Sequence, residues 1–309
     1  MKPGAFLHLD SPRRAGGIRG RCHQRLAAAR HFEAGLAVDG VSRSGNGYQP
    51  TVATAPSPAE IYERAGEEGR RRLSMPLLEQ VATGFIAGVT IVFGLVALGV
   101  VETLAKPALS DGLARLAGAL AFAIGLVFLV VGRTELFTEN FFGPVAATID
   151  QQGRSRWGRL MRLWATILFL NLIGGATLMG ILTVDGALPA GTSETLTALA
   201  EEIVGREWPA TLARAALAGA LITLLSYLLN ATDSVAARIL VTYMAGFFLA
   251  LGPFEHVIVS ALHLLFGVWL GGAATYGDVV VNIGISTAGN VAGGLLLITL
   301  THTAQVKSQ

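Results

Sequence analysis

The spacing of its charges constrains this chain more than any other feature. Asp, Glu, Lys and Arg are missing from residues 80–101, 116–132, 163–184, 215–232, 239–254, 256–277 and 279–306. A helix needs about 20 apolar residues to cross a hydrocarbon core of about 30 Å. Inside that core only helices and closed barrels satisfy their own backbone groups. The pattern predicts an all-α membrane protein. Composition agrees, since 309 residues at 52% hydrophobic and 14% charged are too apolar for a soluble domain of this size.

Residues 80–101, 163–184, 215–232 and part of 279–306 read as simple spans. Two other stretches are not simple. From Leu116 to Ile149 only Arg133, Glu135 and Glu139 interrupt the apolar run, and from Ile239 to Trp269 only Glu255 does. At about 1.5 Å per residue each overshoots the core, yet is short for two spans and a turn. One span with a break in the middle fits each. The count is then six transmembrane helices, with helices 2 and 5 broken.

Residues 1–55 mix Gly, Pro and Ser with eight Lys or Arg against three acids and show no apolar periodicity. That composition predicts a disordered basic segment, and it fits a transit peptide or an over-extended start equally. Within 56–75, Ser57, Pro58 and Glu60 read as a capping-box start, and Arg70, Arg71 and Arg72 close an amphipathic cytoplasmic helix. The transmembrane domain is expected over 76–306. Arg70 to Arg72 and the group Arg154, Arg156, Arg159 and Arg162 fall on one side, whereas 185–207 holds five acids and Arg206. By the positive-inside rule both termini are cytoplasmic, in a multi-pass protein of the cell's inner membrane.

The two interrupted stretches also resemble each other. Phe128, Leu129, Gly132 and Glu135 meet Phe248, Leu249, Gly252 and Glu255 at a shift of 120. "NLIGGATL" from Asn171 meets "NVAGGLLL" from Asn290 at 119, and "IAGVTI" from Ile86 meets "LAGALI" from Leu217 at 131. Three matches in one order point to duplication, with repeats at about 78–184 and 208–306. Three spans per copy is an odd number, so the second copy enters the membrane in the opposite sense. The breaks of such an inverted repeat face one another near the midplane. Backbone freed by a break cannot face lipid and must line a cavity or be buried in protein. Half-helix N-termini beside it attract an anion.

"FAIGLVFLVVGRTELFTEN", "GPFEHVIVSALH" and "NVAGGLLL" together resemble the signatures of the formate/nitrite transporter family, over about residues 58–303, in an uncharacterised bacterial branch. The resemblance implies an aquaporin-like homopentamer in the lipid bilayer with one pore per subunit, passing a small anion such as formate, nitrite or hydrosulfide, with protons coupled in some members. It implies no cofactor. His256 matches the family's central pore histidine, and Thr138 its neighbouring loop threonine. Phe122, Leu126, Leu136 and Phe137 fall on apolar gate positions, and Leu249 on a gate position that is usually aromatic. Taken without the resemblance, His256 reads as a histidine capping a helix break and each of the others as an ordinary core or lipid-facing residue.

Several positions depart from the family pattern. Thr223 stands where formate channels commonly have Asn, with Ser226 at a nearby apolar gate position. Arg133 and Glu139 replace residues that are usually small, and a buried salt bridge between them is the favoured reading, with an anion-attracting Arg133 as the alternative. Glu135 and Glu255 are expected to stabilise the loops by accepting hydrogen bonds from the broken backbone; a direct proton relay is the minority reading. His263 reads as packing or subunit contact.

A neutral-solute pore of the aquaporin or glycerol type is the alternative function, but it wants Asn-Pro-Ala at the half-helix ends, which the chain lacks. An intramembrane metalloenzyme would use Glu255, His256 and His263, yet that chemistry wants histidines at i and i+4, and these stand at i and i+7. Cys22 alone excludes a disulfide framework. The basic N-terminus lacks interleaved aromatics, which argues against nucleic acid, and the paired glycines at 174 and 293 suit close helix packing.

Overall fold

A computed structural model describes residues 55–150 and 155–308. The basic segment before Ala55, with Cys22, and Arg154 lie outside the described residues. Every regular element among the described residues is helical.

α1 (Pro58–Ser74) opens on a closed capping box. The Ser57 N–H donates to Glu60 Oε2 at 2.6 Å and the Glu60 N–H donates to Ser57 Oγ at 3.3 Å. Pro58 sits in the first turn, where its missing N–H costs nothing. Ile61, Tyr62, Ala65, Gly69 and Leu73 are buried along one stripe, which packs on the short α4 (Gly143–Asp150). The approach is very close: a Cβ on Gly69 would stand 2.0 Å from the Gly143 carbonyl oxygen.

Among the described residues, five helices are long and apolar enough to cross a membrane. These are α2 (Leu77–Ala105), α3 (Asp111–Val131), α5 (Ser155–Leu182), α7 (Trp208–Leu229) and a rod formed by α10 (Tyr276–Ala292), a π-helical stretch (Gly293–Thr299) and α11 (Leu300–Lys307). The remaining traverse is divided between α8 (Val235–Leu251) and α9 (Val257–Trp269). Both expected breaks are present. α3 stops at Val131 and a 3-10 turn (Phe137–Phe141) follows before α4, while α8 stops at Leu251 and α9 begins at Val257. The non-helical runs 132–136 and 252–256 stand at the shift of 120 seen in the sequence.

Packing repeats with the same offsets. A Cβ on Gly88 would stand 2.0 Å from the Asn171 carbonyl oxygen, and one on Gly219 would stand 2.0 Å from that of Asn290. Gly174 meets the Phe85 carbonyl as Gly293 meets that of Ala216. Each copy therefore packs its first span on its third through glycine contacts that exclude any side chain. The outer surface keeps Leu78, Phe93, Phe128, Phe169, Leu240 and Val280 exposed, as a lipid-facing belt requires.

The acidic segment 185–207 is more than a loop. It holds α6 (Thr192–Val204), whose Thr192, Thr195, Leu196 and Ala200 are buried and which packs on α9. These positions recur at helical spacing, so a single stripe faces inward while Glu194 and Glu201 face out. Weighing that segment by charge alone hid the periodicity.

Candidate functional site

The two breaks meet. Thr138, on the 3-10 turn of the first copy, and His256, the N-cap of α9 in the second, stand with Oγ1 and Nε2 2.7 Å apart. Thr138 is fully buried and His256 is 2% exposed. The histidine does not cap its helix with its ring, and its Nδ1 is buried without a partner. A hydroxyl can donate to or accept from an imidazole nitrogen, so Nδ1 is the free ring atom in either tautomer.

Two vestibules border the breaks, one at each. The first, about 700 Å³, is bounded by α1, the first break and the α7–α8 turn, and is lined by Arg71, Arg72, Arg133, Thr134, Glu135, Glu139, Ser226 and Arg238 among others. The second, about 140 Å³, is lined by Phe122, Leu249, Gly252, Phe254, Glu255 and His256 together with residues of α2, α6, α7 and α9. Leu126, Leu136, Phe137, Thr138 and Thr223 line neither, and none is more than 2% exposed. The Thr223 hydroxyl is buried without a partner, and Ser226 Oγ donates to the Glu139 carbonyl at 3.1 Å.

Two asparagines hold the broken backbone. Asn171 Oδ1 accepts the Phe137 N–H at 2.9 Å, while its Nδ2 donates to the Gly84 and Glu135 carbonyls at 2.8 and 2.9 Å. Asn290 does the same for Val257, Ala215 and Glu255, at 2.9, 2.7 and 2.9 Å. A break frees both an N–H and carbonyls, and an amide supplies acceptor and donors at once, which a carboxylate cannot. This corrects the expectation for Glu135 and Glu255. Their carboxylates bind arginines instead: Glu135 pairs with Arg71 and Arg72, both at 3.3 Å, and Glu255 with Arg206, with Asn282 Nδ2 adding a hydrogen bond at 3.1 Å. Both asparagines were visible as the first residue of the matched "NLIGGATL" and "NVAGGLLL". A polar residue repeated at one register of an apolar helix was the signal that could have found them.

The expected Arg133–Glu139 salt bridge does not form. Arg133 is exposed, at a φ of 53° that side chains other than glycine rarely adopt, and that turn carries its side chain to the vestibule surface. Glu139 is 3% exposed with Oε1 unpartnered. Its neighbour in space is Arg72, whose Nη1 donates to the Glu139 carbonyl at 3.4 Å.

Six membrane traverses, two breaks joined across an inverted repeat and a vestibule at each break define a polytopic membrane protein of the channel and transporter class. The family model described as Formate/nitrite transporter matches residues 59–304, and the chain belongs to that family. A probable formate transporter of Methanothermobacter thermautotrophicus is 29% identical over 264 residues, covering 80% of this chain and 95% of the relative. Among solved structures, an FNT family ion channel superposes with a TM-score of 0.70 at 17% identity, over 79% of this chain and 98% of the other. A pentameric formate channel with formate bound superposes at 0.62 with 20% identity, over 75% and 98%. These likenesses establish the aquaporin-like fold.

Proposed function

We propose that this protein is a conduit for small monovalent anions or their conjugate weak acids, with proton exchange at His256. The observation that carries the reading is the 2.7 Å contact of Thr138 with His256 across the two repeats, with Nδ1 left free in a buried site. An anion passing from one vestibule to the other meets, in this reading, a partition that includes the buried Leu126, Leu136 and Phe137, side chains that offer it no hydrogen bond. A neutral acid crosses such a wall at far lower cost than its anion. An imidazole whose unperturbed titration lies near pH 6.5 is suited to hand over that proton and take it back. Thr138 orients the ring, and Phe122 and Leu249 narrow the approach from the second vestibule. The partition is the selectivity element, with Thr223 supplying a hydroxyl buried within it and Ser226 one on the wall of the first vestibule. Glu135, Glu255, Arg133 and Glu139 shape the loops on either side.

The protein works as a homopentamer in the inner membrane with both termini cytoplasmic, a reading supported by the pentameric formate channel sharing its fold and by the arginines ahead of α2. The test is flux of formate, nitrite, acetate and hydrosulfide into proteoliposomes. His256→Ala is expected to lower proton-coupled flux at least tenfold; full activity in that variant removes His256 from the mechanism. Swelling by glycerol without anion flux supports the neutral-pore alternative.

A further inference from the structure

The second vestibule contains more unmatched donors than the Thr138–His256 contact uses. His263 is 8% exposed, lines that cavity and has no partner at Nε2. Arg214 lines it too, from α7, with its Nε buried and unpartnered. His256, Ser260 and His263 stand at i, i+4 and i+7 on α9, hence on one face, and all three line the cavity. His263 is about 10 Å farther along the helix axis than His256. Ser260 is already engaged, since its Oγ donates to Asn282 Oδ1 at 2.8 Å.

The charges of the same wall are unequal. Its carboxylates are Glu102, Glu202 and Glu255, and each has a cation of its own: Lys106, Arg115 and Arg206. Arg214 is the lining cation left without a carboxylate among the described residues. A guanidinium N–H and an imidazole nitrogen, both buried and both idle, are costly unless something accepts from them. On the wall of one cavity, a guanidinium N–H and an imidazole whose Nε2 carries the ring proton match the two oxygens of a carboxylate or of nitrite. The remaining lining is apolar, including Leu98, Leu199 and Val259.

We propose that Arg214 and His263 form an outer subsite for an oxyanion, which holds a carboxylate in the second vestibule before it reaches His256. The proposal rests on the anion-conduit reading and narrows its substrate class to oxyanions. Hydrosulfide, with one weakly accepting sulfur, gains little from the subsite.

The test uses the full chain in proteoliposomes, comparing formate and acetate with hydrosulfide. Either His263→Ala or Arg214→Gln is expected to raise half-saturation for formate and acetate about tenfold with maximal flux kept, the loss of one charge-assisted hydrogen bond. His263→Gln retains an N–H and recovers most of the affinity, which a purely structural role for the ring would not predict. Hydrosulfide flux stays unchanged and shows the pore intact. Unchanged half-saturation, or an equal loss for hydrosulfide, overturns the subsite. Saturation-transfer NMR with formate on the detergent-solubilised protein separates this from failure of the conduit reading. Formate binding that both substitutions abolish supports the subsite even where liposomes pass no anion; binding that survives both, or none in the unsubstituted protein, overturns it.

Discussion

Asn171 and Asn290 set the geometry of the site from a distance. Each makes three hydrogen bonds to buried backbone groups of its own copy's break and first span. Removing either amide orphans those groups, at about 1–3 kcal/mol apiece less whatever relaxation recovers. Asn171→Ala and Asn290→Ala are therefore expected to destabilise the protein by roughly 3 kcal/mol each, visible as a lower unfolding midpoint in detergent. A shift within 0.5 kcal/mol for both variants contradicts that role. Thr138→Val keeps the volume and removes the hydroxyl, and is expected to lower flux several-fold while leaving the unfolding midpoint within about 1 kcal/mol. Position and identity of Thr138 and His256 were legible in the sequence, because two short signatures carried them. Their contact was not, since a 2.7 Å approach between residues 118 apart depends on how two breaks dock. The partners of Glu135 and Glu255 were hidden for the same reason.

At the scale of elements, α1 is clamped to the first break by charge. Arg71 and Arg72 bridge Glu68 of α1 to Glu135 of the break. Burial pushes the Glu68 carboxyl up, but hydrogen bonds and charge from Arg71 and Arg72 outweigh it and hold the group below its ordinary 4.5. A depressed carboxyl adds stability that is whole above the unfolded value and is lost as pH falls through the folded one. Amide exchange over residues 58–74 is therefore expected to quicken as pH falls below 4.5, relative to intrinsic rates, and Glu68→Gln to weaken that dependence. Exchange that tracks intrinsic rates identically in both proteins counts against the clamp. The N-terminal cap makes a separate contribution, and Ser57→Ala is expected to cost the helix about 1 kcal/mol, read as faster exchange confined to its first turns. The capping residues were plain in the sequence. α6 was missed because the five acids of 185–207 drew attention from a stripe of Thr, Leu and Ala.

For the whole molecule, the duplication fixes opposite orientations for its two halves. Single cysteines placed at Ser193 and Ser308, after Cys22→Ser, are expected to react with an impermeant maleimide from opposite sides of the membrane. Labelling of both from one side rejects the six-span topology. Native mass spectrometry of the detergent-extracted protein is expected to give five copies; a monomer as the largest species rejects the proposed pentamer. The exposed apolar side chains that circle the spans suit lipid and neighbouring copies alike.

Sequence by itself determined the class of this protein, because hydrocarbon admits so few solutions: charge-free runs of the right length must be helices, and an odd-numbered duplication must invert. It also placed both interruptions, since Gly132 and Gly252 fall where helical runs acquire charge at a shift of 120. Only the tertiary structure decided which groups satisfy the freed backbone, that Arg133 turns away from Glu139, and that Arg214 and His263 share a cavity. Those outcomes depend on distances between residues far apart in the chain, and a linear pattern of polarity carries no such distances.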